Sequence, residues 1–146
     1  MIIPDVNVLV YAFKEVTPHH AAYRTWLLAA LDGDEGLGLL DPVLTGFVRI
    51  VTHPKVFQRP APTTDALAFV EALRLAPGSR ELRATDASWG RLAGLARTDR
   101  ALRGNLAPDA FLASVALAQG GRIATADRGY ARFDGLRFFD PLDEQG

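Results

Sequence analysis

The sequence of 146 residues has no cysteine, only three histidines and only two lysines. Without cysteine, the chain can form neither a disulfide framework nor a thiolate metal site. A bound metal would therefore need oxygen or imidazole ligands, and two of the histidines, His19 and His20, are adjacent and cannot share one face of a helix. The sequence also lacks a run of about 18 apolar residues, and its N-terminus lacks the basic and long apolar regions of a signal peptide. We therefore expect a cytoplasmic protein that does not contact a membrane.

Hydrophobic residues make up 49% of the sequence, so the chain can bury a core, and its length is typical of one domain over residues 1–146. The net charge of −1 excludes no class of partner. The charge is unevenly distributed, because residues 46–103 carry ten basic and five acidic side chains between two more acidic ends. This basic middle section is expected of a nucleic-acid surface beside an acidic pocket, and equally of an ordinary solvated surface.

The pattern of apolar residues predicts alternating strands and helices. The predicted strands cover residues 1–4, 36–40, 81–85, 122–125 and 136–139. The predicted helices cover residues 17–31, 41–52, 63–76, 86–97 and 105–117, with Thr17 capping the first and Trp89 facing the core from the fourth. This order predicts a three-layer α/β/α fold, with a central, mostly parallel sheet flanked by helices.

The helix predicted over residues 105–117 carries one acid at its start. Pro108 suits the first helical turn, and Asp109 follows where a carboxylate meets the positive end of the helix dipole. The rest of the helix is apolar, and Gly120 is typical of a helix end. Taken alone, Asp109 is better explained by a structural role at the helix start than by a functional one.

Three further acids, Asp5, Asp41 and Asp127, each follow a predicted strand. The carboxyl ends of parallel strands meet at one edge of a sheet, and the starts of the following helices face the same edge. We therefore expect these carboxylates and Asp109 to converge. Asp41 has two interpretations, because an aspartate before Pro42 is also a common helix cap.

Converging carboxylates repel one another, and the usual remedy is a hard divalent cation with oxygen ligands, Mg²⁺ or Mn²⁺. Such a site suits the hydrolysis of phosphodiesters by metal-activated water. Asn7 interrupts an apolar run two residues after Asp5, where an unpaired polar group would be costly, and we expect it to support Asp5.

Four segments of the chain resemble the PIN-domain family, and more narrowly the bacterial VapC-type toxins of toxin–antitoxin pairs. The segments are Met1–Phe13, Leu44–Phe57, Arg103–Ala110 and Ala124–Leu136, and they occur in this order over nearly the whole chain. The resemblance implies a Mg²⁺-dependent endoribonuclease. It also implies a cognate small antitoxin protein that holds the enzyme inactive, and a homodimer.

The resemblance also assigns roles to individual residues. The metal-binding acids of the family correspond to Asp5, Asp109 and Asp127, its nearby hydroxyl to Thr125 and its supporting amide to Asn7. In one branch of the family a further catalytic acid corresponds to Asp41. The candidate contacts to RNA phosphates are Arg49, Lys55, Arg103 and Arg128.

Two positions depart from the family pattern. Gly46 stands where a simple alignment places the common second acid, a glutamate, and Gly129 stands where a further aspartate is often found. Fewer ligands imply a low metal affinity without bound RNA. Two other functions stay open: a catalytically inactive binding module for RNA or protein, and a phosphatase with Asp5 as nucleophile. The phosphatase chemistry usually needs a second acid where this chain has Asn7.

Overall fold

The computed structural model describes residues 1–144, which form one parallel sheet flanked by helices. The five strands are β1 (Ile2–Pro4), β2 (Leu37–Leu40), β3 (Ser79–Leu82), β4 (Arg122–Ala124) and β5 (Phe138–Phe139). The seven α-helices are α1 (Val6–Phe13), α2 (His20–Asp32), α3 (Asp41–Val51), α4 (Thr63–Leu75), α5 (Asp86–Thr98), α6 (Ala107–Gln119) and α7 (Pro141–Glu144). Two short 3₁₀ helices cover Gly104–Leu106 and Arg128–Arg132.

The sheet has the strand order β3-β2-β1-β4-β5, and every neighbouring pair is parallel. This confirms the predicted three-layer α/β/α fold. From β1 the chain first builds one side of the sheet with β2 and β3, and then returns to build the other side with β4 and β5. The order therefore reverses between β1 and β4, which is where open α/β sheets bind their ligands.

The core lies on both faces of the central strands. Ile3, Leu37 and Ile123 are fully buried, as parallel strands covered on both faces require. Helix α1 packs against α2 and α3, α3 packs against α4, and α5 packs against α6. Among residues 1–144, no helix has both the length and the apolar character needed to cross a membrane.

The amino ends of the central strands are joined by an ion-pair cluster, at the opposite end of the sheet from the acids that follow the strands. Arg122, at the start of β4, donates hydrogen bonds of 2.9 and 2.8 Å to the two carboxylate oxygens of Glu35, just before β2. It also donates to Glu144 at 2.7 Å and stacks on Phe139 at 4.1 Å. The hydrogen bond from Arg122 lowers the pKa of Glu35. These ion pairs therefore lie at one end of the sheet, and the acids that follow the strands lie at the other.

Helix α1 is missing from the predicted order of elements. It begins directly after β1, and its residues Val8, Leu9, Val10 and Ala12 are all buried. A helix that is apolar on most of its sides shows none of the 3.6-residue periodicity by which amphipathic helices are recognised.

Three local predictions were wrong. Thr17 does not cap α2, which begins at His20; its hydroxyl donates instead to the carbonyl oxygen of Lys14 at 2.6 Å. Strand β3 begins two residues before the predicted 81–85 segment. Trp89 was expected in the core, but 58% of its surface is exposed.

Candidate functional site

Asp5 and Thr125 lie side by side at the carboxyl ends of the two central strands. The register pairs Pro4 with Ala124, so the next residues of β1 and β4 are neighbours. The backbone N–H of Asp5 donates to the carbonyl oxygen of Ala124 at 2.9 Å, and the Thr125 hydroxyl donates to Asp5 Oδ2 at 2.9 Å. Both side chains are buried, with exposed fractions of 9% for Asp5 and 2% for Thr125. The sheet itself therefore holds the first carboxylate in place.

Asn7 connects this pair to the segment that follows β4. Its side-chain NH₂ donates to Asp5 Oδ2 at 3.3 Å and to Thr125 Oγ1 at 3.1 Å. Its side-chain oxygen accepts a hydrogen bond of 3.1 Å from the N–H of Ala126. Helix α1 begins at Val6, whose N–H donates to Asp5 Oδ1 at 2.8 Å. Asn7 thus has the position that the prediction of a supporting amide required.

Asp127 is an exposed carboxylate just after β4. Its N–H donates to Thr125 Oγ1 at 3.0 Å, and its Oδ1 accepts a hydrogen bond of 2.8 Å from the N–H of Gly129. A Cβ atom at position 129 would lie only 2.9 Å from Asp127 Oδ1. Any side chain at position 129 would therefore displace the Asp127 carboxylate from its present position. This contact gives Gly129 a steric role where the family often has an aspartate.

Asp109 is the third residue of α6 and lies half-buried. Pro108 occupies the first turn, as predicted, and the helix ends at Gly120, whose φ of 75° is left-handed. Leu112 and Val115 bury the body of the helix against the core. Asp109 is thus a carboxylate at the positive end of a helix that cannot shift without disturbing that core.

The three carboxylates interact electrostatically. Burial raises the pKa of Asp109, and the negative charges of Asp5 and Asp127 raise it further. Burial also raises the pKa of Asp5, with a smaller increase from the charge of Asp127, while the hydrogen bonds from Thr125 and Val6 lower it. The structure therefore brings together Asp5, Asp109 and Asp127 as a cluster whose ionised forms are mutually unfavourable.

The cluster lies in a cleft of about 1130 Å³ with mainly apolar walls. Among the residues that line it are Asp5, Asp109, Asp127, Arg49, Phe57 and Trp89. Trp89 packs against Phe111 with their ring centroids 5.6 Å apart, so α5 forms one wall of the cleft. The exposure of Trp89 is explained by this position at the rim.

Asp41 does not share the cleft. It is the first residue of α3, and the residues of α3 that line the cleft are Pro42, Val43, Thr45, Gly46, Arg49 and Ile50. Asp41 instead lines a separate cavity of about 220 Å³ with α4 and β3. The N-cap position of α3 is occupied by Leu40 and not by Asp41, so the interpretation of Asp41 as the cap is not confirmed either. The expected convergence of four carboxylates is therefore a convergence of three.

One of the four predicted RNA contacts lies in the cleft. Arg49 is exposed on the cleft-facing side of α3. Lys55, Arg103 and Arg128 are exposed but do not line the cleft. Arg49 is therefore the basic residue best placed to meet a negatively charged ligand at the carboxylates.

The donor set of the cluster fits a hard divalent cation held partly through water. Carboxylate and hydroxyl oxygens are the ligands that Mg²⁺ prefers. Within residues 1–144, no three His, Asp or Glu side chains are arranged closely enough to hold a metal ion directly. Mg²⁺ usually retains several waters and binds through only one or two carboxylates, so it does not need three direct protein ligands.

Tyr130 belongs to the site, although the sequence interpretation missed it. Only 1% of its surface is exposed, and its hydroxyl donates to Asp109 Oδ1 at 3.3 Å. The segment after Asp127 was interpreted only as rich in turns. The signal in the sequence was the apolar spacing of Tyr130 and Phe133, which pack together in and beside the 3₁₀ helix Arg128–Arg132.

A family model described as the PIN domain matches residues 2–136 of the chain. The chain is 44% identical over 145 residues to Ribonuclease VapC43 of Mycobacterium tuberculosis, with 99% of this chain and 98% of the relative covered. It is 34% identical to Ribonuclease VapC33 of the same species, with 99% of this chain and 100% of the relative covered.

The fold is also similar to solved structures of low sequence identity. VapBC2 from Rickettsia felis, bound to a DNA fragment from its promoter, aligns with a TM-score of 0.71 at 16% identity, covering 96% of this chain and 98% of that one. VapC20 from Mycobacterium tuberculosis, a toxin that cleaves the sarcin-ricin loop, aligns with a TM-score of 0.63 at 19% identity, covering 94% and 99%.

Proposed function

The chain belongs to the PIN domain family, and from this premise we propose that it is a Mg²⁺- or Mn²⁺-dependent endoribonuclease, the toxin of a toxin–antitoxin pair. The observation that carries the proposal is the cluster of Asp5, Asp109 and Asp127 in the cleft beside the point where the strand order reverses. RNA as the substrate is supported by relatives that are named ribonucleases at 44% and 34% identity over nearly the whole chain.

The three carboxylates would hold the cation, in part through its bound waters. When bound, the cation would activate a water for attack on the phosphodiester and neutralise charge in the transition state. Asp5 is oriented by Thr125 and Asn7, so its carboxylate does not have to be ordered again when the cation arrives. The backbone of Asp109 is fixed by the packing of α6. Its pKa is raised first by burial and then by repulsion from Asp5 and Asp127, and a cation would relieve that repulsion.

The walls of the cleft would bind the substrate. Arg49 lies on the cleft-facing side of α3 and would neutralise a phosphate of the RNA backbone. Because such contacts release counterions from the nucleic acid, binding should weaken steeply with salt. We propose lesser roles for Lys55, Arg103 and Arg128, which lie outside the cleft.

The proposed protein partner is a cognate small antitoxin. Structural relatives of this fold were solved as VapBC assemblies, among them VapBC2 from Rickettsia felis and VapBC-1 from nontypeable Haemophilus influenzae. The cleft of this chain has apolar walls that include Phe57 and Trp89, which a protein segment can cover.

The homodimer and the organisation of the chain as a single domain stay predictions. Sedimentation velocity measurements on the purified chain would test the homodimer.

The proposed function is tested with the purified chain, freed of any antitoxin under denaturing conditions and refolded. We expect total bacterial RNA to be cleaved in the presence of millimolar Mg²⁺ or Mn²⁺, and to stay intact in excess EDTA. Adding back Mg²⁺ should restore cleavage, because the cation supplies the chemistry that the side chains lack.

The outcomes separate the alternatives. Cleavage that persists in EDTA would rule out the metal mechanism. Binding of RNA without cleavage under any metal condition would favour the inactive binding module. Hydrolysis of a phosphate monoester, with Asp5 labelled by phosphate, would favour the phosphatase. The structure offers the phosphatase little support, because the second acid that this chemistry usually needs is replaced by Asn7, whose amide donates to Asp5.

The substitution Asp41→Asn tests the one acid that lies outside the cleft. We expect the variant to retain a cleavage rate within about threefold of the parent, because surface substitutions away from the site have small effects. The measurement is the initial rate on a defined RNA at saturating Mg²⁺. If Asp41→Asn lost as much activity as a substitution of Asp5, Asp109 or Asp127, Asp41 would have to be assigned to the metal site.

A further inference from the structure

Tyr130 is a buried phenol between two of the site carboxylates. Its ring packs against Phe133 and Phe138, with centroid distances of 5.8 and 6.3 Å. The hydroxyl is the only polar atom of the side chain, and it donates to Asp109 Oδ1 at 3.3 Å. The aromatic contacts therefore place a single donor at the inner side of the acid cluster.

The phenol stays a neutral donor in this position. Burial raises the pKa of Tyr130 far above its ordinary value, and the charges of Asp5 and Asp109 raise it further. Its hydrogen bond lowers the pKa of Asp109, and its interaction with Asp5 lowers the pKa of that carboxyl as well. A phenol has one proton, so it donates fully to only one carboxylate at a time. In the structure the Tyr130 hydroxyl makes its hydrogen bond to Asp109 Oδ1, at 3.3 Å.

Each of the three acids accepts hydrogen bonds from its own donors. Asp5 accepts from Val6, Thr125 and Asn7, and Asp127 accepts from Gly129. Among residues 1–144, Tyr130 is the sole hydrogen-bond donor to the carboxylate of Asp109. Without it, nothing in this part of the chain would select one orientation of the Asp109 carboxylate over another.

We propose that Tyr130 is a positioning residue of the metal site, whose hydroxyl orients the Asp109 carboxylate and thereby sets the affinity of the cluster for a divalent cation. The inference rests on the proposed function, because it assigns Asp109 to that cation. Partners that orient metal ligands typically contribute about 10- to 100-fold to affinity or activity. Tyr130 is expected to act through Asp109 and not through contact with RNA, because it is buried beneath the carboxylates.

The experiment compares two tyrosine-to-phenylalanine variants by calorimetric titration with MnCl₂ alone. Tyr130→Phe removes the hydroxyl beside Asp109. Tyr23→Phe is the matched control, because Tyr23 is also buried and its hydroxyl donates to an aspartate, Asp140, at 3.0 Å outside the cleft. We expect Tyr130→Phe to bind Mn²⁺ about tenfold more weakly than the parent, and Tyr23→Phe to bind it equally well.

Two results would overturn the proposal. Equal Mn²⁺ affinity in the parent and in folded Tyr130→Phe would remove the role of Tyr130 but leave the metal site intact. Absence of Mn²⁺ binding by the parent would overturn the proposed function, and the role of Tyr130 with it. The first result is recognised by equal binding in both proteins, and the second by binding in neither.

A second measurement does not depend on the folding of Tyr130→Phe. The parent is labelled with 3-fluorotyrosine, and its ¹⁹F spectrum is recorded during titration with diamagnetic Mg²⁺. We expect the Tyr130 resonance to shift with the occupancy of the site while the Tyr23 resonance stays fixed, and we expect Asp109→Asn to abolish the shift. A Tyr130 resonance that does not move while Mg²⁺ binds would contradict the proposal.

Discussion

Asp109→Asn is expected to lower the rate of RNA cleavage by at least about 100-fold, the upper range for losing a group that serves a metal site. The substitution keeps the size of the side chain and leaves an oxygen that can accept the hydrogen bond from Tyr130. It removes the negative charge that the cation needs. The measurement is single-turnover cleavage of a defined RNA at saturating Mg²⁺.

The fold of Asp109→Asn should be unharmed. Burial and the charges of Asp5 and Asp127 raise the pKa of Asp109, so its ionised form is unfavourable in the metal-free protein. Because this pKa is raised in the folded state, the free energy of unfolding falls as the pH rises and Asp109 becomes ionised. The neutral amide of asparagine does not ionise, so the variant does not lose this stability. In EDTA at neutral pH, we therefore expect the melting temperature of the variant to equal or exceed that of the parent.

Asp65→Asn is the matched control for this prediction. Asp65 is the third residue of α4, as Asp109 is of α6, and both helices have 13 residues. Both carboxylates interact with the positive end of a helix dipole, but Asp65 does not line the cleft. Its variant should cleave RNA at the parent rate. If the two variants lost activity equally, the effect would belong to helix stability and the assignment of Asp109 to the site would fail.

The convergence of the site acids could be predicted because it depends only on which residue follows each strand of a parallel sheet. Asp5 and Asp127 follow short apolar runs, and the rule that the carboxyl ends of parallel strands share one edge is enough to place them together. Pro108 and the apolar body of its helix placed Asp109 at a helix start, and its role was predicted from the other acids at the same edge and from the family resemblance. All three lie in the same cleft.

What the sequence did not predict depends on rotation and on contacts that are distant along the chain. Asp41 and Pro42 are adjacent, yet about 100° of helical rotation separates a residue facing α4 from one facing the cleft. Tyr130 and Asp109 are 21 residues apart, and no periodicity links them. Helix α1 was missed because its burial on most sides leaves no amphipathic pattern.

Thr125→Val is expected to damage both stability and activity, because the hydroxyl of Thr125 is shared by three partners. It donates to Asp5 Oδ2 at 2.9 Å and accepts from Asn7 at 3.1 Å and from the N–H of Asp127 at 3.0 Å. Valine has nearly the same shape, so the change removes the hydrogen bonds and leaves the packing. Each buried polar group left without a partner costs about 1–3 kcal/mol, and we expect a loss of stability of that order.

The activity of Thr125→Val should fall for a separate reason. The hydrogen bond from Thr125 lowers the pKa of Asp5, so its loss raises the pKa of a carboxyl that burial already raises. Asp5 would then need a higher pH than in the parent to be ionised and to hold a cation. We expect cleavage to fall by about 10- to 100-fold at neutral pH and part of that loss to be recovered as the pH is raised.

Ser114→Ala provides the comparison for both effects. Ser114 is as fully buried as Thr125, but its hydroxyl makes one hydrogen bond, to the carbonyl oxygen of Ala110 within α6 at 2.7 Å. Removing it leaves no unpaired donor, so denaturant unfolding and cleavage should both stay close to the parent. A Thr125→Val variant that matched Ser114→Ala in both measurements would show that the hydroxyl neither stabilises the strand ends nor tunes Asp5. Loss of stability without recovery of activity at higher pH would confine Thr125 to a structural role.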